Sequence, residues 1–254
     1  MTDKGVVFFP DRHLVATPRE YRLEPYEDVF FQAEDGTRLH GWFINGADES
    51  AVLLWLHGNA ENISHCLDSV GRLIHTLHIS VFLFDYREYG LSEGYISKLG
   101  TICDARGAYA YLARKRSFKG SSIMLFGRSL GTAPAVDVAA REECLGVVLE
   151  AAFTSSDDMM QLYFPLMPNQ DTQAYKFDSL SLIDRVRSPI LFIHGEFDHT
   201  IPISMSCRLY DRARAPKYFY EVRGADHNNM DIVGGSGYIE VWQNFMRNCV
   251  DDRL

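Results

Sequence analysis

Apolar residues follow two rhythms along this chain. Residues 28–33 and 38–44 are short β-prone runs on either side of Glu34-Asp35-Gly36, a turn signal, and together they predict an antiparallel hairpin. Residues 51–56, reading AVLLWL, are apolar at every position. A run so short and unbroken suits a strand covered on both faces. Further strands are predicted at 79–84, 123–126, 145–149, 190–193 and 218–222. Stretches of helical period lie between them at 60–77, 101–116, 130–141, 180–186 and 203–213. A last helix is predicted over 238–249, where Val241, Trp242, Phe245 and Met246 recur at helical spacing. This alternation after an opening hairpin predicts an α/β fold, with a mostly parallel eight-stranded sheet and helices on both faces.

One stretch interrupts the rhythm. About forty residues separate Leu149 from Ile190, among them Met159, Met160, Leu162, Tyr163, Phe164, Leu166 and Met167. Loops of that length are usually functional. Two readings stand side by side: a small apolar cap over a site, or an extra helix packed on the core. We assign 152–188 to a minimal cap within one domain spanning 1–254. Gly234-Gly235-Ser236-Gly237 reads as a flexible loop before the last helix.

Composition narrows the class. The chain has 254 residues, 46% of them hydrophobic and 23% charged, which suits one α/β domain with a large core. A net charge of −9 argues against a nucleic-acid partner, which calls for a basic surface. The five cysteines are odd in number and widely spaced, so they read as reduced thiols rather than a disulfide framework. The apolar run at 6–10 is too short for a signal sequence or a membrane span, and the expected location is cytoplasmic, with no transmembrane segment. His-Glu-x-x-His, a Cys/His cluster, a phosphate loop and a dinucleotide fingerprint are all missing, so no metal or organic cofactor is expected. The sequence carries no reading of oligomeric state.

The densest chemical signal is Gly127-Arg128-Ser129-Leu130-Gly131, which joins an apolar run to a helical stretch. A serine on a tight strand-to-helix turn must tolerate strained backbone angles. Glycines before and after it remove the Cβ atoms that would clash there. The helix start behind Ser129 offers unpaired N–H groups and a positive dipole end, both suited to an oxyanion. The plainer alternative is a glycine-rich turn with an incidental serine. Arg128 reads either as a contact for an acidic substrate group or as the partner of a nearby carboxylate.

A serine hydroxyl is a weak nucleophile without a base. At such an elbow the partners follow in the chain order acid, then histidine. His194, His199 and His227 are the histidines beyond Ser129. His194 ends an apolar strand and reads as a packed or locally bonded ring. His199 adjoins the candidate acid and should diverge from it. His227 lies in Gly224-Ala225-Asp226-His227-Asn228-Asn229, past the last strand, from where a base reaches the top of the sheet. The candidate acid is Asp198, in a loop at the carboxyl end of a strand, where sites of open α/β sheets gather. Its task would be to accept the histidine Nδ1–H and fix the tautomer. Glu196 in the same loop is the rival, and Asp226 a weaker one, since a direct neighbour rarely aims its carboxylate at the adjacent ring. The oxyanion donors should be backbone N–H groups, one from Leu130 and one from the turn His57-Gly58-Asn59-Ala60-Glu61-Asn62. Asn59 is the choice in that turn and Ala60 the second; the same residues also read as a helix N-cap.

HGNAEN, DYREYGLSEG, GRSLGT, HGEFDHTIP and GADHNN occur in the order found in the α/β-hydrolase superfamily. The chain resembles its small-capped serine hydrolases, a group of esterases and S-acyl thioesterases, over roughly Asp28 to Cys249. The resemblance implies an α/β-hydrolase fold, Ser129, Asp198 and His227 as a catalytic triad, and Asn59 and Leu130 as the oxyanion hole. The family pattern carries glycine where this chain has Glu88, a departure that bears on the local turn only. Asp85 and Arg87 then read as structural. Some relatives cleave carbon–halogen bonds with an aspartate nucleophile, which Ser129 argues against. The expected activity is hydrolysis of a small-molecule carboxylic ester or thioester through an acyl-enzyme on Ser129. An amidase or peptidase with the same residues is one alternative; a non-catalytic hydrolase-fold binding protein is another. The short insertion implies an open site and small or exposed acyl groups.

Overall fold

The computed structural model describes residues 7–166 and 175–251. Eight strands form one sheet: β1 (Tyr26–Gln32), β2 (Arg38–Ile44), β3 (Asp48–Leu56), β4 (Ile79–Phe84), β5 (Ile123–Arg128), β6 (Gly146–Glu150), β7 (Ile190–Gly195) and β8 (Lys217–Val222). Their order is β1-β2-β4-β3-β5-β6-β7-β8. β2 runs antiparallel to β1 and β4, and the other pairings are parallel. The opening hairpin sets Gln32 opposite Arg38. The helices are α1 (Leu67–Leu77), α2 (Lys98–Arg114), α3 (Thr132–Ala139), α4 (Ser156–Tyr163), α5 (Ser179–Leu182), α6 (Ile203–Arg212) and α7 (Met230–Asp251).

The central strand shows why its sequence is apolar throughout. Successive side chains of a strand point to opposite faces. Val52, Leu54 and Leu56 pack with Ile102, Ala105 and Val136 beneath α2 and α3. Leu53 and Trp55 pack with Leu67, Val70 and Trp242 beneath α1 and α7. With helices on both sides, β3 has no position left for a polar side chain. Trp55, Phe126 and Trp242 form a continuous aromatic contact on the second face, with ring centroids 4.2 and 5.5 Å apart. Each such burial is worth about 2–3 kcal/mol relative to exposure.

Two expected elements differ. The helix predicted from residue 60 starts late: Ile63–Cys66 is a 3-10 turn, and α1 begins at Leu67. Ala60 takes a left-handed φ of 57°, and the extended Asn62 caps the turn by accepting the Ser64 N–H at 3.0 Å. Residues 57–62 are thereby left as a loop at the carboxyl edge of the sheet. The glycine run expected as a loop lies inside α7, which bends at Gly235 (φ 49°, ψ −128°). A residue without Cβ adopts that conformation at little cost, so here the glycines kink a helix instead of preceding one.

Glu88 takes the left-handed φ of 69° that glycine would adopt freely, and its carboxylate accepts the Ile96 N–H at 2.9 Å. Arg87 is held between Asp104 (2.7 Å) and Asp35 (2.9 Å), as expected of a structural residue. Of the apolar residues noted in the sequence, Val6 and Met167 lie outside the described residues. The five cysteines form no disulfide; Cys66, Cys144 and Cys249 are buried, and Cys207 is exposed. Among the described residues no helix is long and apolar enough to cross a membrane, and no group of side chains is arranged to hold a metal ion.

Candidate active site

The elbow is built by close backbone approach. β5 ends at Arg128, a 3-10 turn spans Ser129–Gly131, and α3 follows. Ser129 has φ 51°, a conformation that costs a non-glycine residue about 1–3 kcal/mol. The turn closes because Gly131 lies against β3: a Cβ there would meet the Leu56 carbonyl oxygen at 2.1 Å. Gly127 is as tight, its virtual Cβ 2.4 Å from the Gly131 oxygen. Gly131→Ala is therefore expected to destabilise the fold by about 3 kcal/mol, the upper end of overpacking costs. Thermal unfolding measures this, and an unchanged melting temperature would contradict the packing described.

Ser129, His227 and Asp198 meet in the structure. Ser129 Oγ is 3.0 Å from His227 Nε2, and His227 Nδ1 is 2.7 Å from Asp198 Oδ2. The meeting is arranged by backbone lacing between the loop after β7 and the loop after β8. Glu196 N–H donates to the Val222 carbonyl at 3.1 Å and Phe197 N–H to the Ala225 carbonyl at 2.8 Å. Glu196, the rival acid, uses its carboxylate to accept the Gly224 N–H at 2.9 Å. Asp226 accepts from the Asn228 N–H at 2.8 Å within its own loop. His199 is exposed and lies apart from the three.

Asp198 is nearly buried, and each of its oxygens is held. Oδ1 accepts the N–H groups of Thr200 (2.9 Å) and Ile201 (2.8 Å). Oδ2 receives His227 and lies 3.3 Å from His194 Nε2. Burial pushes this carboxyl up, but the contacts from His194, His227 and the Ile201 N–H outweigh it and hold it well below the usual carboxylate range. His194 bonds locally, as its place at a strand end implies; its proximity to Asp198 is not legible in the sequence, because the spacing of His194 and Asp198 says nothing about how the Gly195 turn folds them together.

The candidate oxyanion donors line the same cavity. Leu130 lies in the first turn after Ser129, where backbone N–H groups have no helical partner. Asn59 also has a role that its residue type did not disclose. Its side chain clamps the N-terminal segment, donating Nδ2–H to the Val7 carbonyl at 2.6 Å and accepting the Phe9 N–H at 3.1 Å. Tyr89 OH donates to the same Oδ1 at 2.8 Å. The loop carrying the Asn59 N–H is thus pinned from two sides. Ala60, the second choice, directs its N–H to Asn59 Oδ1 at 3.0 Å.

Arg128 pairs with a carboxylate. Its Nε is 3.4 Å from the buried Glu150, which also accepts Tyr238 OH at 2.7 Å, and its Nη2 reaches the His227 carbonyl at 3.5 Å. Burial pushes the Glu150 carboxyl up, against the pull of the guanidinium. Above Ser129 opens a cavity of about 820 Å³. Its apolar wall includes Phe153, Met159, Met160, Tyr163, Phe164 and Phe177. α4 supplies part of that wall, and Met159 also packs on the core, so this helix serves both readings of the insertion.

A serine at a strand-to-helix elbow of a mostly parallel eight-stranded sheet, with an imidazole past the last strand, defines the α/β-hydrolase class of fold. No protein-family model matches the chain. An uncharacterized protein of Mycobacterium tuberculosis is 32% identical over 246 residues, 96% of this chain and 86% of its own length. The α/β-hydrolase domain-containing protein WAV2 of Arabidopsis thaliana is 31% identical, over 90% of this chain and 80% of its own. The Pyrococcus furiosus esterase Pf2001 superposes with a TM-score of 0.76 over 94% of this chain and 98% of its own, at 20% identity. The chain belongs to the α/β-hydrolase family.

Proposed function

We propose that the protein is a serine hydrolase that cleaves a carboxylic ester or thioester through an acyl-enzyme on Ser129. The observation that carries this reading is the unbroken contact from Ser129 Oγ through His227 to Asp198 Oδ2, at 3.0 and 2.7 Å. His227 Nε2 takes the hydroxyl proton as Oγ attacks the acyl carbonyl. The charge gathering on the carbonyl oxygen is met by the N–H groups of Leu130 and Asn59, each worth about 3 kcal/mol in the transition state. The bond to the alcohol or thiol breaks, and the leaving group departs with the proton from His227. Water then gives a proton to His227 and its oxygen attacks the acyl-enzyme, releasing the acid as Ser129 recovers its hydrogen.

The cavity supports an apolar acyl group, and its volume of about 820 Å³ favours a longer chain than the short insertion implied. In this reading 152–188 caps the site of a single catalytic domain, and the five reduced thiols fit a cytoplasmic enzyme. A chain-length series of nitrophenyl esters, run beside acyl thioesters and anilides, tests the reading. Turnover of esters and thioesters is expected, with an optimum beyond acetyl. Anilides cleaved as fast as the matched esters would move the assignment to an amidase.

A further inference from the structure

We infer that His194 is a positioning residue, holding the carboxylate oxygen that Asp198 presents to His227; the inference rests on the reading of Ser129, His227 and Asp198 given above. His194 ends β7 and is fully buried. Its Nε2 lies 2.8 Å from the Ile201 carbonyl oxygen and 3.3 Å from Asp198 Oδ2. A carbonyl oxygen only accepts, so Nε2 carries its hydrogen.

That N–H acts in two ways. It anchors Ile201, whose own N–H donates to Asp198 Oδ1 at 2.8 Å, so the turn that grips the acid is closed at both ends. It also sets a positive dipole end beside the same Oδ2 that receives His227 Nδ1–H. At the far edge of the ring, Nδ1 is 2.7 Å from Ser206 Oγ on α6, and Ser206 Oγ is 3.1 Å from the Ala152 carbonyl just beyond β6. Any buried imidazole needs partners. What is particular here is that one neighbour is the oxygen on which His227 depends.

A donor at Oδ2 draws carboxylate charge away from His227. Without it His227 faces a more negative partner and keeps its proton to higher pH. The other charged or titratable groups around His227 are Arg128 at the elbow, Glu150 at the end of β6 and Asp226 in its own loop. Around His194 they are Asp198 and the exposed Glu221, its register partner on β8. A substitution at 194 leaves all of these in place.

The test is the pH dependence of the second-order rate of fluorophosphonate labelling, measured on the full chain as wild type, His194→Phe, His194→Gln and Ser206→Ala. Phenylalanine keeps the ring but has no donor; glutamine keeps a donor near the Nε2 position. His194→Phe is expected to label about tenfold more slowly at neutral pH, with its acid limb moved up by about half a pH unit. His194→Gln should lie closer to wild type in both. A lower melting temperature with an unmoved limb is what a merely structural residue would give, and overturns the inference. If His194→Phe does not fold, Ser206→Ala decides, since it releases the far edge of the ring: a smaller upward shift is expected, and none overturns the idea. Labelling that survives in Ser129→Ala sinks the underlying reading of the site instead, so the two failures are distinguishable.

Discussion

Ser129→Ala is expected to abolish fluorophosphonate labelling and to lower ester turnover by about 10⁶-fold, the loss typical when the nucleophile of such a unit is removed. The residual rate would come from the N–H groups of Leu130 and Asn59 and from substrate binding alone. The fold should barely notice the change. Alanine keeps the Cβ and therefore the same strain at φ 51°, and the one printed partner lost is His227 at 3.0 Å. A melting temperature within a few degrees of wild type is expected, corresponding to about 1 kcal/mol or less. That combination, chemistry lost and fold kept, separates a nucleophile from a serine that merely completes a turn. A variant that folds and still turns over esters at a tenth of the wild-type rate would end the acyl-enzyme reading.

How far the sequence carried the structure depended on what each segment had to satisfy. β3 was legible because a strand covered on both faces admits only apolar residues, and AVLLWL leaves no ambiguity of face. The elbow was legible because its glycines answer a local steric demand, the approach of Gly131 to Leu56. Long-range lacing was not. Nothing in residues 195–198 announces that Glu196 N–H and Phe197 N–H will bond the loop after β8, yet those bonds bring Asp198 and His227 together. The late start of α1 was hidden in the same way: Asn62 reads as an N-cap, but the left-handed Ala60 that makes residues 57–62 a loop has no signature in its residue type. Gly234–Gly237 misled because glycine usually ends helices; here Gly235 absorbs a bend while α7 continues to Asp251.

The same contrast separates the residues named for chemistry from those that support them. Ser129, His227 and Asp198 stood out by residue type and chain order. Asn59 and His194 are polar side chains at loops and strand ends, and their partners lie up to 52 residues away, as Val7 does from Asn59. A site of this kind is reliable only when its first contacts are held by second ones. Those second contacts are chosen by the fold, and sequence spacing does not encode them.

Asp198→Asn is the second change with a large expected effect, and it bears on both catalysis and acid stability. An amide at 198 no longer demands a hydrogen on His227 Nδ1. The imidazole is then free to carry its hydrogen on Nε2, facing Ser129 Oγ, where it cannot take the hydroxyl proton. Turnover should fall by about 10⁴ with the fold retained. A drop of less than tenfold would pass the role to another carboxylate, with Glu196 first in line despite its bond to Gly224. The stability effect has a definite sign. The Asp198 carboxyl is held well below its ordinary value of 3.8, so the folded state binds its proton less readily than the unfolded chain does. That contribution is fully present above pH of roughly 4 and is lost as pH falls towards the folded value. The amide of the variant has no proton to bind, so the stability gap between wild type and variant should be flat at neutral pH and shrink on acidification below the unfolded value. Denaturant unfolding of both proteins over a pH series measures the gap, and the subtraction cancels the other titrating groups. A gap that stayed constant down to pH of about 3, below the ordinary carboxyl value, would mean that the contacts from His227, His194 and the Ile201 N–H do not favour the ionised carboxylate, and the electrostatic account of this site would have to be abandoned.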